Sequence, residues 1–501
     1  MVNSKLKLIS LAVIGCMSLS ANALASNSDL SSHIPSSIVT PNHVESKYLG
    51  ELNYVDGAPS LEASTKASDF VDTADAVRVF LSGIPVASIQ GLLQGHESIG
   101  MKPNQTIGIS EGMLNANSIW LTANTTTPYV TSEIDVKNGP VVLEVGTPIL
   151  GLVDNAAFQF TSRVGVTHPE DQGKGGKYFF YHSSYQGELP DGYIHVKTDG
   201  YQHWLLVRIV TTPNSVEQDV QKLKETMKLY PYGKSNNTEF INITDVKYNT
   251  VHAMNEEFYD EINTLIQYEP SEIFDPEWLS LAQRLGIEKG KAFKPDARMA
   301  RILEEAAKIA TAEARSFYFH PDESVKTYDD RHWFTPLING HEFKDASGVI
   351  NADDRAMFHF MATGITPDMV TKSVGKGSDY LLATRDIDEN LLDGSKHYTV
   401  TLPANVPVTK FWSFMVYDNQ TRSMLATDQV SAGLDGLNKN VVKNKDGSIT
   451  VHFAPEAPEG HEGNWVQTVD GKGYNVIFRV YGPKQEWFDK SWKPSDFVEV
   501  K

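Results

Sequence analysis

Cysteine is almost missing from this sequence: Cys16 is the only one in 501 residues. A chain processed downstream of it has none, which excludes disulfides, thiol nucleophiles and cysteine-ligated zinc. Blocks of Lys and Arg are missing too, and the formal net charge is −19. The electrostatic footprint of a nucleic-acid binder or of a protein held on an anionic membrane is therefore absent. Beyond the N-terminal stretch no run of ~18 apolar residues appears, so no membrane span is expected. Gly-x-Ser-x-Gly, His-Glu-x-x-His and a nucleotide-type Gly-Lys-Ser/Thr loop do not occur, and there is no repeat of fixed period. No metal and no cofactor are expected. What is present is an ordinary globular composition, 41% hydrophobic and 21% charged. At ~150 residues per domain it supports two or three domains with substantial cores.

The N-terminus, "MVNSKLKLISLAVIGCMSLSANALAS", has Lys5 and Lys7, an apolar segment to about Met17, and Ala23-Leu24-Ala25 ahead of Ser26. This is the layout of a cleaved secretory signal over residues 1–25, and it predicts a soluble periplasmic or secreted protein. Val13-Ile14-Gly15-Cys16 resembles a lipoprotein box, but the Ala-x-Ala site favours plain cleavage after Ala25 over anchoring at Cys16.

Residues 26–65 are rich in Ser, Asn and Pro without periodicity and read as an extended arm or linker. Residues 66–212 begin with helical spacing on either side of Pro85. They continue as β-branched and aromatic runs cut by Asn138-Gly139, Asp191-Gly192 and Asp199-Gly200, a mostly antiparallel β-rich domain with hairpin signals. Residues 213–374 read as a helical connection. Asp275-Pro276 starts one helix, and Met299, Ile302, Leu303, Ala306, Ile309 and Ala310 form one apolar stripe of another. Residues 375–501 return to strands, with Asp446-Gly447 as a hairpin signal, and predict a C-terminal jelly-roll-like β-sandwich. The fold class is thus mainly β with a helical segment.

In "KFWSFMVYDNQTRSML", residues 410–425, alternation puts Phe411, Ser413, Met415 and Tyr417 on one face and Trp412, Phe414 and Val416 on the other. Both faces are apolar, so the strand is expected to be covered on both sides. Its polar end holds Tyr417, Asp418 and Arg422, at a place where sandwich proteins gather ligand loops.

"GSDYLLATRD", "LDGSKHYTVTLPANVPVTKFWSFMVYDNQTRSMLATDQ", "NKDGSITVHFAPEAPEGHEGNWVQT" and "FRVYGPKQEWFDKSWKPSDFVEV" closely resemble the bacterial domain-of-unknown-function family 1214. "TTTPYVTSEIDVKNGPVVLEVGTPILGLVDNAAFQFTSRVG" with "GKGGKYFF" is similar to family 1254, its usual N-terminal companion. The resemblance implies an exported protein with a β-rich N-terminal domain, a helical connection and a jelly-roll-like C-terminal domain. It brings no reaction and no catalytic residues. The sequence departs from the expected pattern at His168-Pro169-Glu170, at "YHSSYQG" and at Asp470.

One ligand site is predicted in the C-terminal domain. Its catalytic candidates are Asp418 as base or acceptor, Arg422 as an oxyanion clamp, and Tyr417 beside them. Its ligand-binding candidates come from "GHEGNW": His461, Glu462, Asn464 and Trp465, an imidazole, a carboxylate, an amide and an indole suited to a sugar-like ligand. The plain alternatives are that Asp418 pairs with Arg422 to hold a turn and that Trp465 is a core anchor. "GKGGK", Gly173–Lys177, forms either an anion nest or a tight turn. "RDIDENLLDG" has Asp386, Asp388, Asn390 and Asp393 but lacks the glycine and closing glutamate of a calcium loop, so it reads as a solvated turn.

Two functions fit. One is a periplasmic, hydrolase-like enzyme acting on a small polar, glycan- or peptide-linked substrate. The other is a non-catalytic ligand-binding or assembly module of the envelope. The aromatic tail "EWFDKSWKPSDFVEV" is expected to dock on another domain or subunit, making a homo-oligomer.

Overall fold

The computed structural model describes residues 34–212, 214–337, 339–429 and 433–501. The segment expected to be a signal, with Cys16, lies outside the described residues. The chain divides into two compact units, residues 1–70 and 71–501, and the division falls within the helix Leu61–Ser98. Strand makes up 27% and helix 26%.

In the first unit, His43–Ser46, Gly50–Val55 and Ala58–Pro59 pair antiparallel into a small meander. The stretch expected to be an arm thus contains paired strands. Its Asp56-Gly57 turn uses positive φ at both residues, 48° and 82°.

Leu61–Ser98, which begins in the first unit and has most of its length in the second, runs as one helix through Pro85 instead of breaking there. Ile84, Val86, Ala87, Ile89 and Leu92 are buried, and this packing outweighs the lost backbone hydrogen bond. By length and composition the helix would also span a membrane, but 78% of its apolar window is buried inside the protein, as in a core helix. Gly95 lets the strand Tyr248–Asn249 pass close by, because a Cβ there would lie 2.4 Å from the Asn249 carbonyl oxygen.

The N-terminal domain is two packed sheets. The larger has the order 239–242, 106–109, 129–135, 202–209, 149–155, 160–165, and the smaller 194–198, 176–182, 141–145, 228–231. Pairing is antiparallel except between Glu239–Asn242 and Thr106–Ile109, and between Ile194–Thr198 and Gly176–His182. Val130, Ile134, Leu143, Phe180, Leu205 and Val207 fill the space between them. Strands Lys228–Pro231 and Glu239–Asn242 complete these sheets from a region that reads as helical in sequence. The turn dipeptides do not close hairpins. Asn138-Gly139 and Asp199-Gly200 carry the chain from one sheet to the other, and Asp191-Gly192 lies between two parallel strands.

Helices Phe258–Tyr268, Pro276–Arg284, Ala297–Phe319 and Ala352–Met361 form the layer between the domains. Asp275 caps its helix by accepting from Trp278 N, as its sequence predicts. In Ala297–Phe319 the buried stripe runs through Ile302, Leu303, Ala306 and Ala310 to Ala314 and Tyr318, while Ile309 stays 45% exposed.

The C-terminal domain is a sandwich of two four-stranded sheets, 378–383, 474–481, 412–418, 433–435 and 465–467, 449–454, 398–402, 498–499. Every residue of Trp412–Asp418 is buried. Trp412, Phe414 and Val416 face the sandwich core, while Met415 and Tyr417 join the core under the helices. The aromatic tail docks on its own domain. Trp487, Trp492 and Phe497 enter the sandwich core, and Val498–Glu499 pairs with Tyr398–Thr399.

Candidate functional site

The predicted residues are held by structural bonds. The Tyr417 hydroxyl donates to the Ala123 carbonyl at 2.7 Å. Asp418 Oδ1 accepts from Gln420 N at 2.7 Å, an Asx-type turn, and its Oδ2 pairs with Lys472, not with Arg422. Arg422, 1% exposed and with φ of 57°, donates from Nη1 to the Gln420 carbonyl (2.7 Å) and from Nε to the Phe360 carbonyl (3.1 Å). Its guanidinium lies 4.2 Å from the Phe360 ring centroid. Burial, with neighbouring Arg315, pushes its pKa down to about 9. The group thus ties the turn to the end of the helix Ala352–Met361.

Asn464 donates to the Val442 and Thr450 carbonyls and accepts from Val442 N, each at 2.8 Å, so its amide is spent as a loop clamp. Trp465 Nε1 donates to the Ala454 carbonyl at 2.8 Å. The His461 ring lies tilted at 32° against His452, ring centroids 4.3 Å apart, and Glu462 accepts from Gly460 N at 3.1 Å. Among the described residues no hydrogen bond, ion pair or ring contact joins the Tyr417–Arg422 group to the His461–Trp465 group. The "GKGGK" loop does cradle an anion, but its own: Asp171 Oδ1 accepts from Gly173 N (2.9 Å) and Gly175 N (3.0 Å). Asp386 likewise closes its own turn by accepting from Asp388 N and Asn390 N, both at 2.9 Å. Among the described residues no cluster of His, Cys, Asp and Glu is arranged to hold a metal.

The chemistry the sequence reading missed lies elsewhere in the second unit, in a cavity of about 90 Å³ between the N-terminal sheet, the helical layer and the sandwich. Its walls are apolar, with Trp120, Leu206, Phe358, Met361 and Ile477 among them. Two arginines enter, each beside a tyrosine across its strand pair: Arg208 opposite Tyr129, and Arg479 opposite Tyr380. The Arg208 guanidinium is 5.3 Å from the Tyr129 ring, and that of Arg479 is 5.9 Å from Tyr380 and 5.6 Å from Tyr417. Arg479 is 4% exposed. Its Nη2 donates to the Thr122 carbonyl at 2.8 Å, and its buried Nη1 has no hydrogen-bond partner.

Burial opposes both charges and coupling to the neighbouring tyrosines acts the other way, so both groups stay cationic; burial raises the pKa values of Tyr129 and Tyr417 themselves, so these phenols are neutral and do not discharge them. Among the described residues the lining has no Asp, Glu or His. A buried guanidinium at Arg479 and a half-buried one at Arg208, with no carboxylate in the lining, are costly unless something anionic meets them. The only sequence signal was an arginine in the middle of each of two apolar runs, "LLVRIV" and "VIFRVYG".

Fold and site define a β-rich protein of two domains and a helical layer built around an arginine- and tyrosine-lined cavity. Residues 103–231 match the family model DUF1254, and residues 377–485 match DUF1214, both described as protein of unknown function. Arg208 lies in the first match and Arg479 in the second, so the cavity takes one arginine from each. The crystal structure of the VPA0106 protein from Vibrio parahaemolyticus is similar in fold, with a TM-score of 0.51 and 17% identity over 86% of this chain and 100% of that one. A crystal structure of an uncharacterized protein from Burkholderia cenocepacia overlaps with a TM-score of 0.35 and 12% identity, over 88% of this chain and 98% of the other. No curated protein matches.

Proposed function

We propose that this is an exported, periplasmic or secreted protein that binds a small oxyanion with an apolar substituent in the Arg208–Arg479 cavity. The observation that carries the reading is the buried, unpartnered Nη1 of Arg479, at a cavity that Arg208 also lines and that has no carboxylate among the described residues. A carboxylate there gains charge-assisted hydrogen bonds, and its alkyl part meets Leu206, Met361 and Ile477. Binding is favoured over hydrolysis, because among the described residues the lining offers no Asp, Glu or His as a general base and Asp418, the expected base, is committed to Gln420 and Lys472. The export half rests on Lys5, Lys7, the apolar segment after them and Ala23-Leu24-Ala25.

The test is calorimetric titration of the mature protein with propanoate, butanoate and pentanoate. Binding of at least one, weakened tenfold or more in both Arg208→Met and Arg479→Met with folding retained, supports the proposal. Absence of heat and of thermal stabilisation with all three at millimolar concentration overturns it.

A further inference from the structure

A second, larger cavity of about 590 Å³ adjoins the first, and Leu337, Met369 and Tyr380 line both. Tyr380 stands at the junction. Its hydroxyl bonds the Ser378 hydroxyl at 2.9 Å on the outer side, and its ring lines the inner cavity together with Arg208.

The outer cavity runs against the charge of the whole protein. In a chain of net charge −19 it gathers Lys372, Lys376 and Lys490, all exposed. Among the described residues none of the three makes an ion pair or a side-chain hydrogen bond. The two acids in its wall are already engaged: Asp368 with Arg163 at 2.7 Å, and Asp379 with the Trp487 indole N–H at 2.8 Å. Two hydroxyls in the wall, those of Thr167 and Thr327, are buried without a partner. Unpaired cations and unsatisfied hydroxyls around one concavity are what an anionic group would meet.

We infer that the outer cavity is a second subsite, and that the ligand is an elongated dianion, a dicarboxylate-like molecule with an apolar middle. One end meets Arg208 and Arg479, the chain passes Leu337, Met369 and Tyr380, and the other end meets the three lysines. This rests on the binding reading of the inner cavity and adds the ligand's length and its second charge. The lysines act through open water, whereas Arg479 is buried and Arg208 half-buried. Most of the affinity therefore comes from the inner end, and selectivity for a second charge from the outer.

The test compares straight-chain monocarboxylates and α,ω-dicarboxylates of matched length, from four to ten carbons, by calorimetry on the mature protein and two variants. The expected result is a length at which the diacid binds at least tenfold tighter than its matched monoacid. In Lys372→Gln/Lys376→Gln/Lys490→Gln that advantage disappears while monoacid affinity stays within twofold. Arg479→Met weakens both series. The lysines are exposed, so the triple variant is expected to fold, and its melting curve checks this. If monoacids bind but no diacid of any length gains, or the gain survives the triple variant, the second subsite is wrong and the inner site stands. If neither series binds, the inner site fails and the dianion reading fails with it.

Discussion

Asp418 separates a turn lock from a catalytic group, and the bonds around it set the expected numbers. Its Oδ1 accepts from Gln420 N at 2.7 Å in a buried position, a hydrogen bond to a charged group worth roughly 1.5–3 kcal/mol. Its Oδ2 meets Lys472, a side chain 43% exposed, so solvent screening leaves that pair about 0–1 kcal/mol. The turn it closes holds Arg422 in the left-handed region, a conformation that costs a non-glycine residue about 1–2 kcal/mol and persists only while its surroundings enforce it. Asp418→Ala removes both bonds and should lower unfolding free energy by about 1.5–4 kcal/mol. Asp418→Asn keeps an acceptor for Gln420 N and should cost less than ~1 kcal/mol. The assay is equilibrium urea unfolding followed by circular dichroism, with butanoate titration of each variant alongside. Two results refute the turn-lock reasoning: an Asn variant as unstable as the Ala variant, or an Asn variant that keeps its stability and loses butanoate binding.

Stability should fall on both sides of mildly acidic pH. Burial raises Glu133 and Glu269 to about 7, above their unfolded values, so the stability they contribute is full below about pH 4.5 and is lost as pH rises through 7. Burial lowers His96 and His203 to about 4, so their contribution is present above about pH 6.5 and is lost as pH falls toward 4. Urea midpoints measured from pH 4 to 9 should show this maximum. Glu133→Gln should flatten the alkaline limb by at most about 3 kcal/mol, the value of its shift. Gly95→Ala should destabilise by more than about 2 kcal/mol despite Ala's better helix propensity, because its Cβ meets backbone that cannot yield; a neutral melting curve would show that the strand moves away. N-terminal sequencing of exported material should begin at Ser26, whereas a chain beginning at a lipid-modified Cys16 would overturn plain cleavage.

Local features that act through neighbours in the chain were legible in the sequence. Apolar residues on both faces of Trp412–Asp418 predict a strand covered on both sides, and the cap at Asp275 and the resemblance to families 1254 and 1214 hold in the structure and the family matches. Positive φ at Gly139 and Gly192 was foreseeable from the turn dipeptides. Which strands those turns would join was not, because a tight reversal serves a hairpin or a crossing between sheets equally well. Continuity of the helix through Pro85 depends on burial all around it, which residue spacing cannot report.

The candidate site shows the same division more sharply. Tyr417, Asp418 and Arg422 were rightly placed at a strand end, yet tertiary packing turned each inward as a tie between segments. Arg208 and Arg479 are 271 positions apart and come from different domains. By itself the sequence determined that each is a charge set in an apolar strand, because that follows from alternation along one segment. Only the packing of sheet, helices and sandwich decided that the two strands present those charges to one cavity, because no local preference carries information over that separation.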